Sequence, residues 1–354
     1  MTKQELIRSI EEKKRVEATT LEGLDCSDLD LSGVTFKEVT FIDLDLSASK
    51  IAKADLEHCS FKKVSFDGMD FERVHWQGLE FHECSFVKSD LSHANFSDIV
   101  LQESIFKEAD LSRATFSAAT LTAVNLQQCD LKQTNFSGSK VIETTFSHCD
   151  LVSTNFFQTD MSGSKFLDST LLKVVLMECA LQEQEFTQGR LHRVQFNSSD
   201  LSKSHFDGAD LTQSNFYQCD LSFSSFKGAK AHQVIFTEAD LKMADLSGAD
   251  LYQSNFDKAD LESSDFEGAN IQQCRFVSAI CKGSNFRGAH AKYADFSHAL
   301  FEKVVLRGMD LSHGNVHAIV LKESDLSEAN CHALRKSDPD LLAAEQFTYK
   351  PRSQ

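Results

Sequence analysis

From Leu21 to Cys331 every fifth residue is apolar, without a break. These 63 positions hold 26 Leu, 26 Phe and 11 other residues, none charged or polar. A period of five fits neither the 3.6-residue helix nor the two-residue strand, so the pattern is an internal repeat. We call the recurring apolar residue the centre of each pentapeptide. Two residues before it the side chain is small or aliphatic, as at Ala54, Ala94, Ala209 and Ala269, and Gln184 is the one large polar exception. The residue just before the centre is Asp 21 times and Asn 10 times. The two residues after it are variable and mostly polar.

Residues two apart share one face of an extended segment, so the centre and the small residue before it point inward together. The next two residues must turn the chain, because continued alternation would send the following centre outward. Gly208, Gly228, Gly248, Gly268, Gly288 and Gly308 stand at the second turn residue, where a tight corner favours glycine. Asp and Asn can bond the nearby amides of such turns. The expected product is a coil of very short strands, stacked on its neighbours at roughly 4.8 Å.

In its small–Asp/Asn–Leu/Phe–x–x unit, as in Ala54-Asp55-Leu56 and Ala94-Asn95-Phe96, the chain resembles the pentapeptide-repeat family. The resemblance covers about residues 19–333. It implies an all-β fold, a right-handed quadrilateral parallel β-helix of about 16 coils, on the order of 75 Å long. Phe and Leu largely alternate at the centres from Phe86 onward, as in Leu201, Phe206, Leu211 and Phe216. An even number of sides agrees with that alternation and predicts ring columns such as Phe196, Phe216, Phe236, Phe256, Phe276 and Phe296.

The expected organisation has three parts. Residues 1–18 hold an N-terminal capping helix over about residues 3–15, with Leu6, Ile7 and Ile10 apolar. Residues 19–333 form the repeat. Residues 334–354 form a C-terminal helix and tail, started by Asp338-Pro339. Leu341, Leu342 and Phe347 are placed to cover the far end or to join two copies, and the end near Pro351 is expected to fray.

Composition narrows the function. A net charge of −17 disfavours binding to nucleic acid and suits a basic partner. No stretch reaches 18 apolar residues, so no membrane span is expected, and no secretory leader is read at the start. All ten cysteines fall at the two inward positions, Cys26, Cys281 and Cys331 at centres and the other seven two residues earlier. That placement predicts reduced core residues of a cytoplasmic protein. Phe occupies a centre in 26 of 29 cases, so the aromatic content is core. All 13 His fall at outward positions, and His290, His298, His313, His317 and His332 crowd one end as exposed polar surface. No phosphate loop or triad spacing is present, so neither enzyme activity nor a cofactor or metal is expected.

Two outward features stand above this background. Asp70, Asp90, Asp110, Asp130 and Asp150 recur every twenty residues and would stack as an acidic column, and Asp200, Asp220, Asp240 and Asp260 would form a second. Turn positions that are polar elsewhere become apolar at Val152, Phe157, Leu167, Leu172 and Met177. Exposed apolar clusters mark interfaces. The expected function is a non-catalytic protein-binding scaffold or adaptor, a rigid acidic rod whose partner is another protein. A homodimer through the C-terminal helix or the Val152–Met177 patch is a second expected association. Through the family resemblance, the scaffold could be an adaptor or chaperone linked to bacterial type VI secretion. The alternative, also implied by the resemblance, is a DNA mimic that binds DNA gyrase or another topoisomerase, as quinolone-resistance proteins do.

Overall fold

The computed structural model describes residues 1–13, 15–26 and 29–345. Its regular structure is a parallel β-solenoid of about 15 turns with a short helix at each end. Residues pair in parallel with those twenty further on, as Thr20 with Thr40 and Asp240 with Asp260. Twenty residues are four pentapeptides, so each coil has four sides. The chain divides into two compact units, Met1–Glu185 with Gly189–Ser199, and Phe186–Gln188 with Asp200–Gln354.

Backbone bonding follows one rule along the described residues. In the coil at Leu91, its N–H donates to the Asp110 carbonyl at 2.7 Å and the His93 N–H to Ser112 at 2.9 Å. The Asp90 N–H donates back to Met69 at 3.0 Å. Each coil is thereby tied to both neighbours, which satisfies the polar groups that a solid core would otherwise strand. The Ala94 N–H also closes on the Leu91 carbonyl at 3.1 Å, with His93 at a φ of 59° between them. A positive φ at the third residue is the geometry of a type II turn.

That left-handed residue recurs at second turn positions from Ala18 to Ala333, filled by 13 glycines and 48 other residues. Glycine is therefore suited to the corner without being required there; the inter-coil ladder holds ordinary residues in a region they otherwise avoid. One interruption occurs among the described residues. Ile51–Lys53 is a single turn of 3-10 helix, and neither Ala48 nor Lys53 is left-handed.

The corners come in two forms. Fifteen three-residue strands mark corners that stay extended, thirteen in the N-terminal unit from Arg15–Glu17 to Lys165–Leu167 and two in the C-terminal unit. None has Ala at the inward position two residues beyond its end. At several of them the side chain at that inward position donates to the carbonyl of the first turn residue: Ser104 to Gln102 at 3.1 Å, Thr144 to Ile142 at 3.2 Å, Cys84 to His82 at 3.4 Å. Ala can offer no such bond, and Ala209, Ala229, Ala249 and Ala269 all follow tight turns.

Phe rings stack in columns in both units. Phe41, Phe61 and Phe81 lie 4.6 and 5.0 Å apart, and Phe236, Phe256 and Phe276 lie 4.7 and 4.8 Å apart. The two ends differ from one another. Helix α1, Lys3–Lys13, begins with a reciprocal capping box: the Thr2 N–H donates to Glu5 and the Glu5 N–H to the Thr2 hydroxyl. It ends before the expected residue 15, because Arg15–Glu17 already pairs with Thr35–Lys37. Leu6 is fully buried against the first coil, where Leu21 and Cys26 are also buried.

At the other end Leu321 is 44 % and Leu326 39 % exposed. Cys331 is exposed as well, which corrects the expectation that all ten cysteines are core; the other nine are buried and free. The physical reason is that no described coil stacks on the last one. Helix α2, Pro339–Glu345, starts as expected, with the Asp338 carboxylate accepting the Asp340 and Leu341 amides. It buries none of its own residues: Leu341 is 49 % exposed and Leu342 half-buried. Phe347 and Pro351 lie outside the described residues.

Candidate functional site: the outward positions

The five apolar turn residues lie where the period places them. The Ser153 N–H donates to Leu172 at 3.0 Å and the Gln158 N–H to Met177 at 2.9 Å, so Val152 and Leu172, and Phe157 and Met177, sit on successive coils. Their exposure is more modest than the sequence implies. Val152, Phe157, Leu172 and Met177 are half-buried, and Leu167 is exposed at 42 %. A first turn residue leans on the coil beside it, which covers part of its side chain. Gln184 does enter the core: it is 6 % exposed, and its amide donates to the Ser164 carbonyl at 2.9 Å.

Both acidic columns form. Asp70, Asp90, Asp110, Asp130 and Asp150 pair in sequence, as do Asp200, Asp220, Asp240 and Asp260. All nine make the same local bond. One carboxylate oxygen accepts the N–H two residues on, at 2.8 to 3.2 Å. Lys132 then bridges Asp130 and Asp150 at 2.9 and 3.0 Å, and Lys242 bridges Asp240 and Asp260 at 2.8 and 3.0 Å. Those carboxylates raise both ammonium groups above the ordinary lysine value. The columns thus serve the turns first, and lysines partly neutralise them.

His298, His317 and Glu345 are the described residues that could hold a metal ion, with ligand atoms within 4.8 Å of one another. His317 is 6 % exposed, which corrects the expectation that every His lies outside; α2 and the segment before it cover it. Its Nδ1 accepts the Asp338 N–H at 3.1 Å. The ring proton of the neutral imidazole therefore sits on Nε2, 3.3 Å from the Glu345 carboxylate, whose other oxygen lies 3.5 Å from His298 Nε2. A metal-bound imidazole offers its bare nitrogen to the ion and donates from the other. The observed bonding is the reverse, a closed hydrogen-bonded latch on α2. Cys59 and Cys84 are poor nucleophiles, because burial pushes both thiols up to about 11.

Sequence reasoning missed Phe223 and Met243. They are 55 % and 56 % exposed and occupy second turn positions on successive coils. The available signal was a bulky apolar residue where the repeat otherwise holds polar side chains, glycine or alanine. The 3-10 interruption also borders an open cleft of about 310 Å³, lined by Ser32, Ala48, Lys50, Met69 and Asp70 among others.

A family profile described as "Pentapeptide repeat region" matches residues 79–146, 141–208 and 199–276, together more than half of the chain. A second, "Pentapeptide repeats (8 copies)", matches residues 41–75 and 279–317. No curated protein matches the chain. Among solved structures, a trypsin-treated form of QnrB1, a plasmid-mediated fluoroquinolone resistance protein, is 17 % identical. That match covers 65 % of this chain and 99 % of that one, with a TM-score of 0.36. HetL, involved in heterocyst differentiation regulation in the cyanobacterium Nostoc sp. strain PCC 7120, is 16 % identical over 94 % of this chain and 96 % of its own, with a TM-score of 0.18. Rfr23 from the cyanobacterium Cyanothece 51142 is 22 % identical over 37 % and 88 %, with a TM-score of 0.24.

Proposed function

This chain belongs to the pentapeptide-repeat family, which is generally non-catalytic, and we propose that within it the chain is a protein-binding scaffold or adaptor without enzyme activity. The observation that carries this reading is the run of apolar turn residues from Val152 to Met177, with Leu167 exposed at its edge. The part of their apolar surface that the neighbouring coil leaves open lowers solubility, and contact with another protein accounts for it. The non-catalytic reading is supported by chemistry already committed elsewhere: the Cys59 and Cys84 thiols resist deprotonation, and His298 and His317 are held by Glu345. The nine buried free thiols also support a reducing, cytoplasmic setting. A link to type VI secretion is one form of this reading, and the genes flanking this one test it.

The test is affinity capture from a lysate with wild type and with Phe157→Asp plus Leu172→Asp. Both sites are half-buried turn positions, so circular dichroism should be unchanged while the captured partner is lost. Unchanged capture overturns the patch.

One observation favours a second reading, a DNA mimic acting on gyrase: nine aspartates aligned in two columns. In that case the purified protein should alter gyrase supercoiling, less so at high salt, and no effect sinks it. The exposed Leu321, Leu326 and Leu341 further support a second copy of the chain as partner at the C-terminal end.

A further inference from the structure

Among the large exposed apolar residues, several have a local explanation. Ile235, Ile280 and Val320 stand in the bridging position of the ladder, where β-branched side chains are favoured. Phe223 and Met243 have none. Their φ values are 60° and 56°, a region that bulky side chains avoid, and more than half of each side chain faces solvent. Phe223 makes no ring or cation contact among the described residues. The contrast with another corner of the same unit is direct. There Gln213, Gln233, Gln253 and Gln273 occupy the same turn position and bond in a ladder, each link 2.9 Å. The chain could close the Phe223 corner the same way and does not.

The charge around this corner is one-sided. Asp220, Asp240 and Asp260 line the face before it, Asp245 and Asp265 the face after it, and Glu262 the corner itself. Against these six carboxylates stand Lys203, Lys227 and Lys242, with Lys282 on the coil beyond Glu262. Lys227 is engaged by Asp245 at 2.9 Å and Lys242 by Asp240 and Asp260. Asp220, Glu262 and Asp265 make no ion pair with a lysine or arginine among the described residues.

We propose that the Phe223–Met243 corner is a docking site for a basic segment of a partner protein, one that seats an apolar side chain on Phe223 and Met243 and points Lys or Arg at Asp220, Glu262 and Asp265. This rests on the scaffold reading and supplies the chemistry of the partner. Two apolar anchors inside an acidic rim reproduce the anatomy of an interface, with a desolvated centre giving affinity and charges giving orientation and rate.

The probe is a random 12-residue peptide library displayed on phage and selected against the full chain. Enriched peptides are then measured by fluorescence polarisation. The expected peptides carry Lys or Arg around an apolar residue and bind at least tenfold more weakly to Phe223→Gln plus Met243→Gln. Gln already fills this backbone position at four neighbouring sites, so that variant should fold, which circular dichroism checks. Asp220→Asn plus Asp265→Asn keeps the turn bonds and should reduce both affinity and its salt dependence. No enrichment, enrichment of acidic or neutral peptides, or binding to both variants as tight as to wild type overturns the proposal. Peptides that keep binding these variants and lose binding to Phe157→Asp plus Leu172→Asp overturn it while leaving the scaffold reading intact.

Discussion

Cys26 and Cys331 occupy the same position of the same repeat, near opposite ends of the chain, and meet opposite fates. Cys26 is 1 % exposed beneath a coil that α1 covers. Cys331 is exposed in a last coil that α2 leaves open. Leu6 in α1 is fully buried, whereas Leu341 in α2 is half exposed. A repeat residue is core only if something stacks on both sides of its coil. Solenoid stability is accordingly a sum of nearest-neighbour terms, and the terminal units decide their own burial.

The largest test of this contrast is thiol labelling of the native protein. Cys331 should react first, faster than Cys26 by roughly a thousandfold or more, since a buried thiol must wait for local opening. Mass-spectrometric mapping of the labelled site decides it, and comparable labelling of both would mean that the ends are alike. Next comes truncation of the two helices. Leu6→Ala should cost about 2–5 kcal/mol of stability in urea unfolding, the usual range for a buried Leu. Leu341→Ala should change it by less than about 0.5 kcal/mol. The sole Trp, Trp76, is buried in the N-terminal unit, so its fluorescence reports the unit that Leu6 covers.

A third test asks what the open end is for. If a second copy covers Leu321 and Leu326, the wild type should sediment as a dimer and Leu321→Glu plus Leu326→Glu as a monomer. A monomeric wild type at all concentrations leaves the open end without that partner. The smallest effect is electrostatic. Lys50 at 2.9 Å and the Ser32 amide hold the Asp30 carboxyl down at about 2. Near the other end Asp325 is lowered chiefly by the Ser327 amide. A depressed carboxylate stabilises the fold above its ordinary range and loses that contribution as pH falls toward its folded value. Lys50→Met should therefore raise the Asp30 midpoint toward 3.8 in carboxylate NMR and leave Asp325 unmoved.

Much of this molecule can be read from its period. The family resemblance implied four sides and hence a twenty-residue register, and given that register the Phe columns and the acidic columns follow from spacing, because each depends only on where a residue falls within a repeated backbone. Spacing pairs Val152 with Leu172 and Phe157 with Met177 on successive coils, while the partial burial of these four was not legible, since it depends on the neighbouring coil's surface. His317 was misplaced for a related reason: its position is outward, and a segment some twenty residues later folds over it. Phe223 and Met243 were visible in principle, as bulky apolar residues at a left-handed turn position.

The sequence by itself determined which side chains point inward, because a residue's place in the pentapeptide sets its direction, and the family resemblance carried by that unit implied how the coils register. Tertiary structure decided which coils are covered, which carboxylate oxygens remain for a partner, and which apolar residues meet solvent. Those outcomes turn on contacts between segments far apart in the chain, and a local repeat carries no information about where the stacking stops.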